Sequence, residues 1–77
     1  MRQKDLLRAA FYSAQRRDER NRLVASTTDI IKETRKLSSK EFGPDEIREH
    51  IEWYERGWKI LEETPANNNV YIKAHNY

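Results

Sequence analysis

The stretch PDEIREHIEWYERGWKILEE, residues 44–63, decides how the chain reads. Ile47, Ile51, Tyr54, Trp58 and Leu61 recur at steps of four, three, four and three, the spacing that sets side chains on one face of an α-helix. Pro44 suits the first helical position, where its fixed φ fits and its missing N–H is not needed. Asp45 and Glu46 follow it and complement the positive end of the helix dipole. The spacing predicts a helix over about 44–63, closed by Thr64–Pro65 because the residue before proline is pushed out of the α region. Gly57 inside this helix would cost roughly 1 kcal/mol relative to alanine, which points to a neighbouring backbone or a ligand coming close.

Outward from that stretch, Ser38, Ser39 and Gly43 mark a break. Before it, Leu23, Thr27, Ile30, Thr34 and Leu37, with Ile31 beside them, predict a second helix over about 21–37. Leu7, Ala10, Phe11 and Ala14 predict a first helix over about 3–17, and the polar run Gln15–Arg22 predicts a turn near Arg17–Asp18. Residues 65–77 read as an extended tail, in which Val70, Ile72 and Ala74 alternate with Tyr71, Lys73 and His75. The expectation is an all-α chain: an antiparallel three-helix bundle over 1–64 and a short extended tail over 65–77.

A chain of 77 residues has room for one thin core. Its hydrophobic share of 36% lies below the globular norm, so a partner would supply burial that the chain lacks. There is no cysteine to staple a secreted scaffold, which favours an intracellular compartment. No apolar run is long enough to span a membrane, and no apolar segment of the secretory kind follows Met1. Residues 1–17 are Arg-rich and amphipathic, the pattern also of a mitochondrial targeting segment; Asp5 and the unbroken periodicity favour an ordinary helix. Charge is polarised. Residues 1–22 hold seven Lys/Arg against three Asp/Glu, whereas residues 41–63 hold three against eight.

The chemistry-bearing residues are sparse: no cysteine, His50 and His75 far apart, no zinc motif and no glycine-rich phosphate loop. An enzyme is not expected. Arg16, Arg17, Arg20 and Arg22 could meet phosphates, but Asp18 and Glu19 interrupt them and a solvated junction is the simpler reading. Trp53 and Ile60, seven apart and off the main face, would form a second apolar strip on the third helix, a contact surface if both are exposed and otherwise part of a broad core stripe.

In order along the chain, Leu6-Leu7-Arg8 with Ala10, Phe11 and a basic run, then Ile30, Ile31, Thr34 and Arg35, a polar loop, and Pro44-Asp45-Glu46-Ile47 resemble the LYR-motif family, small basic three-helix proteins of the mitochondrial matrix. Leu7 stands where that family has tyrosine and Thr34 where it usually has phenylalanine. The resemblance implies a non-enzymatic adaptor or assembly factor that binds an acylated acyl carrier protein and a client of iron–sulfur or respiratory-complex assembly. It carries Arg8 and Arg35 over to partner contacts, where Leu6, Leu7, Arg16, Arg17 and Trp53 are expected beside them. It also implies a tunnel for the carrier's acyl-phosphopantetheine, with Ala10, Phe11, Ala14, Ile30, Thr34, Tyr54 and Gly57 as its lining. Two further readings stand beside it: a small helical nucleic-acid-binding regulator with residues 1–22 on phosphates, and a structural subunit of a larger assembly.

Overall fold

The computed structural model describes residues 2–74. It corrects the all-α expectation: three helices pack on a four-stranded antiparallel sheet. Helix α1 spans Gln3–Ala14, strand β1 Arg16–Arg17, β2 Leu23–Ser26, α2 Thr27–Leu37, α3 Pro44–Tyr54, β3 Trp58–Glu62 and β4 Val70–Lys73, with a 3-10 turn at Pro65–Asn67 before β4. The strands lie in the order β1-β2-β4-β3. From α1 onward the chain gives a short hairpin of two strands, β1 and β2, two consecutive helices and a second hairpin whose last strand, β4, inserts beside β2. Leaving aside the edge strand β1, this order resembles that of a winged helix-turn-helix, with β3, the turn and β4 as the wing.

Each departure from the bundle has a local cause. Helix α2 does not begin near Asn21, because Leu23-Val24-Ala25 pair as a strand and Ser26 caps the helix, its Oγ accepting from Asp29 N at 3.1 Å. The polar run before it is a tight hairpin. Asp18 Oδ1 accepts from Arg20 N and Arg22 N at 2.9 and 2.8 Å, and Asn21 takes φ 61°. The backbone N–H of Arg22 holds the Asp18 carboxyl below its usual range.

Helix α3 stops at Tyr54 instead of running to Glu63. The helix is capped at Glu55, and Gly57, with φ 88°, takes the left-handed conformation that swings the chain into β3. Gly57 is therefore not a helix-interior glycine, and a neighbouring backbone does come close to it, its carbonyl accepting from Ala74 N. Gly57→Ala is expected to destabilise the protein by about 1–2 kcal/mol through the positive φ, read as a lowered urea midpoint. An unchanged midpoint would mean that the turn can relax.

The apparent tail forms one of the sheet's two interior strands. β4 pairs with β2 through Val24↔Ile72 and Ala25↔Tyr71, and with β3 through Ile60↔Tyr71 and Trp58↔Lys73. A bulge at Leu61 separates the Ile60 and Glu62 pairings. Expected positions 75–77 of the tail, like Met1, lie outside the described residues.

One core joins all three helices to the sheet: Leu6, Leu7, Ala10, Phe11 and Ala14 from α1, Ile30 from α2, Ile47 and Ile51 from α3, Ala25 and Tyr71 from the strands, and Phe42 from the loop. Trp58 closes over Phe11 edge-to-face, ring centroids 4.6 Å apart. The wing is tied down by three consecutive asparagines. Asn69, buried, exchanges hydrogen bonds with Thr27, and its side chain also accepts from Thr64 N and donates to the Tyr71 hydroxyl. Asn68 accepts from the Thr28 hydroxyl, and Asn67 accepts from Arg48 and donates to Asp45.

Candidate functional site

Helices α1 and α3 leave an open groove of about 540 Å³ between them, lined by Gln3, Lys4 and Leu7 on one side and Glu46, Glu49, His50, Trp53 and Tyr54 on the other. The spacing explains the lining. Glu46, Glu49, His50 and Trp53 follow at steps of three, one and three, so they share the side of α3 that looks toward the start of α1. Leu7 and His50 are buried and form the floor, while Trp53 is 71% exposed and Tyr54 46%. Lys4 Nζ sits 5.0 Å from the Tyr54 ring centroid, and the His50 and Tyr54 rings are 5.4 Å apart.

Beneath the groove lies a buried polar cluster that locks its walls together. Glu55, 6% exposed, accepts through Oε2 from His50 at 2.9 Å and from Arg8 Nε at 3.4 Å. Arg8 also donates from Nη2 to the Tyr54 carbonyl at 3.2 Å, one of the unsatisfied acceptors at the end of α3. His50 Nε2 faces the Glu55 carboxylate, and its Nδ1 is buried with no partner among the described residues.

Burial pushes the His50 pKa below its ordinary value of 6.5; Glu55 opposes that shift, and Arg8 and Lys4 add to it. The sign follows. Below pH 6.5 the unfolded chain takes up a proton that folded His50 refuses, so stability is full above pH 6.5 and falls as the pH drops toward the depressed folded value. Urea midpoints should therefore decline between pH 7 and 5.5, and His50→Gln should flatten that decline. Parallel declines in both proteins would show that another group carries it.

The residues expected at partner contacts separate. Leu6 and Leu7 are core residues, and only Leu7 also floors the groove. Arg8 is a half-exposed strut between α1 and the end of α3, so a charge reversal there would disturb its bonds to Glu55 and Tyr54 as well as any partner. Arg16 is paired with Asp29 at 3.7 Å and Arg35 with Glu41 at 3.5 Å, both at the surface, and Arg17 donates to the Asn21 carbonyl. Trp53 alone is a strongly exposed apolar contact residue of that set. Its expected strip with Ile60 does not form, because Ile60 packs on the core from β3.

The expected tunnel lining also divides. Ala10, Phe11, Ala14, Ile30 and Thr34 are buried in the packed interior, Tyr54 edges the groove, and Gly57 lies in the turn beyond α3. The groove residues Lys4, Glu49 and His50 were not expected at a binding surface from the sequence, although the steps linking Glu46, His50 and Tyr54 carried the signal.

No protein-family model, curated protein or solved structure matches the chain. Among the described residues no helix is long and apolar enough to cross a membrane, and no three His, Cys, Asp or Glu side chains are placed to hold a metal ion.

Proposed function

We propose that this chain is a non-enzymatic protein-binding module on a scaffold resembling a winged helix-turn-helix, and that its α1–α3 groove receives a basic amphipathic segment of a partner protein. The observation that carries the reading is Trp53, 71% exposed on a helix that also bears Asp45, Glu46, Glu49 and Glu52. A scaffold of this connectivity invites a nucleic-acid reading, but a fold does not fix a function. Helix α3 occupies the position of a recognition helix, and it would bring four carboxylates against phosphates with Arg48 as its one cation. Like charge opposes that docking. It favours a partner with lysines or arginines around an apolar anchor, for which Trp53, Tyr54 and Leu7 supply the apolar contact and α3 the complementary charge.

The acidic acyl carrier protein that the LYR resemblance implies would meet the same like-charge face. A protein-binding adaptor role survives in this proposal, with the partner's charge reversed at this groove.

The test is a titration followed by tryptophan fluorescence with an 18-residue Leu/Lys amphipathic peptide, and with its Leu/Glu counterpart. The Lys peptide is expected to bind and the Glu peptide not. Trp53→Ala should weaken binding at least about 30-fold, the loss expected for a hot-spot tryptophan, scored by anisotropy of a labelled peptide. Equal binding of both peptides, or binding indifferent to Trp53→Ala, would overturn the assignment.

A further inference from the structure

Across the α1–α3 groove from the acidic helix stands a cation of the chain's own. Lys4 lines the groove, and its ammonium lies 5.0 Å from the centre of the Tyr54 ring, inside the roughly 6 Å over which an aromatic face attracts a cation. Glu46 and Glu49 share the same lining, yet Lys4 has no ion-pair partner among the described residues. The ring face is what holds it. The neighbouring Lys40 is tied twice, over the Phe42 ring at 5.1 Å and by donation to Gln3 Oε1 at 2.7 Å. Lys4, held by one exposed contact, is the easier to displace.

The place of Lys4 in its helix is independent of that contact. Helix α1 begins at Gln3, so Lys4 is its second residue. It stands beside unsatisfied N–H groups whose partial positive charge favours an anion and disfavours a cation. Helix stability gives no reason for a lysine there, and neither does packing, because the residue is exposed.

We infer that the ring face of Tyr54 is the groove's cation seat, that Lys4 fills it in the free chain, and that a lysine or arginine side chain of the partner takes its place. Glu49, on the α3 wall one turn before Trp53, adds charge attraction for the incoming side chain. Lys4 opposes it, first by holding the ring and then as a like charge on the facing wall. It is therefore a specificity-determining residue that admits only segments basic enough to displace it. This role rests on the reading of the groove as a site for a basic segment and adds to it a competitor within the chain.

The experiment compares the full chain with Lys4→Gln, Tyr54→Leu and the double variant, by anisotropy of the labelled Leu/Lys amphipathic peptide at low salt. Circular dichroism checks that each variant is folded. Lys4→Gln should bind the peptide about fivefold more tightly, through release of one exposed cation–π contact and one like charge. Tyr54→Leu keeps apolar bulk and removes the ring, so in that background the same change should gain less than about twofold. By NMR, the Lys4 ε-methylene protons should be shifted upfield by the Tyr54 ring in the free chain, and should return toward their random-coil position as the peptide saturates the groove. Four results would each overturn the seat and leave the groove's preference for a basic peptide standing: unchanged or weaker binding by Lys4→Gln, an equal gain with and without the Tyr54 ring, no upfield shift in the free chain, or an upfield shift that persists in the saturated complex. Failure of the unsubstituted chain and Lys4→Gln alike to bind the peptide would overturn both.

Discussion

Tyr71→Ala is expected to leave the protein largely unfolded at 37 °C. Tyr71 is buried on the interior strand β4, flanked in register by Ala25 and Ile60, and its hydroxyl accepts from Asn69 Nδ2 at 3.2 Å. Truncating a buried aromatic side chain costs about 3–5 kcal/mol, and a domain of this length is stable by only about 4–12 kcal/mol. A fall in Tm of roughly 15–35 °C follows, measured by far-ultraviolet circular dichroism. Tyr71→Phe removes only the hydroxyl and should cost about 1 kcal/mol. A near-neutral Tyr71→Ala would mean that residues 70–73 are the loose tail that their sequence suggests and that the sheet is incorrectly assigned.

The second large effect falls on Glu55. Glu55→Ala leaves His50 Nε2 buried without an acceptor and takes from Arg8 its carboxylate partner on α3. Because Arg8 is half-exposed and water can reach it, the loss should stay below that of a fully buried ion pair, at about 2–3 kcal/mol. Glu55→Gln keeps an acceptor and should lose about half as much. Urea denaturation of the three proteins separates these values. A loss under about 0.5 kcal/mol for Glu55→Ala would show that the cluster does not hold α1 to α3.

How the sequence could be read differs between helices and sheet. The inward face of α1, at Leu7, Ala10, Phe11 and Ala14, is legible because its contacts repeat every three or four residues. So are the buried positions Ile30 and Thr34 of α2, and the start of α3 at Pro44 and Ile47. The sheet was hidden for a physical reason. Its pairings join residues distant in sequence, such as Val24 with Ile72, and its strands are two to five residues long. In addition, the series Ile51, Tyr54, Trp58, Leu61 fits a helix by accident across Gly57. The inward placement of Trp58 and Ile60, with Lys59 between them exposed, was equally present. Two signals could have decided between them: Gly57 itself, and the turn residues Thr64–Asn69 between two short β-rich runs, a hairpin pattern. Tyr71 and Ile72 are both buried, so β4 shows no clean alternation to read.

The candidate site was legible in its charge and not in its geometry. The acidic balance of residues 41–63 and the outlying Trp53 stood out in the sequence. The pairing of α3 with the N-terminal turns of α1, which turns them into a groove, depends on Leu7, His50 and Glu55 meeting in three dimensions. The carried-over Arg8 illustrates the limit: its bonds to Glu55 and to the Tyr54 carbonyl, across the chain, could not be read from its place in a motif.

The most direct test of the central claim is a heteronuclear NMR titration of the ¹⁵N-labelled chain with the Leu/Lys amphipathic peptide. The expected result is saturable shifts at Lys4, Leu7, Glu49, His50 and the Trp53 indole, with Gln15 and Lys32 unmoved, and no such shifts with the Leu/Glu peptide. Shifts lying wholly outside the α1–α3 groove, or the same shifts with both peptides, would contradict the claim that this acidic, tryptophan-bearing face is built for a basic partner.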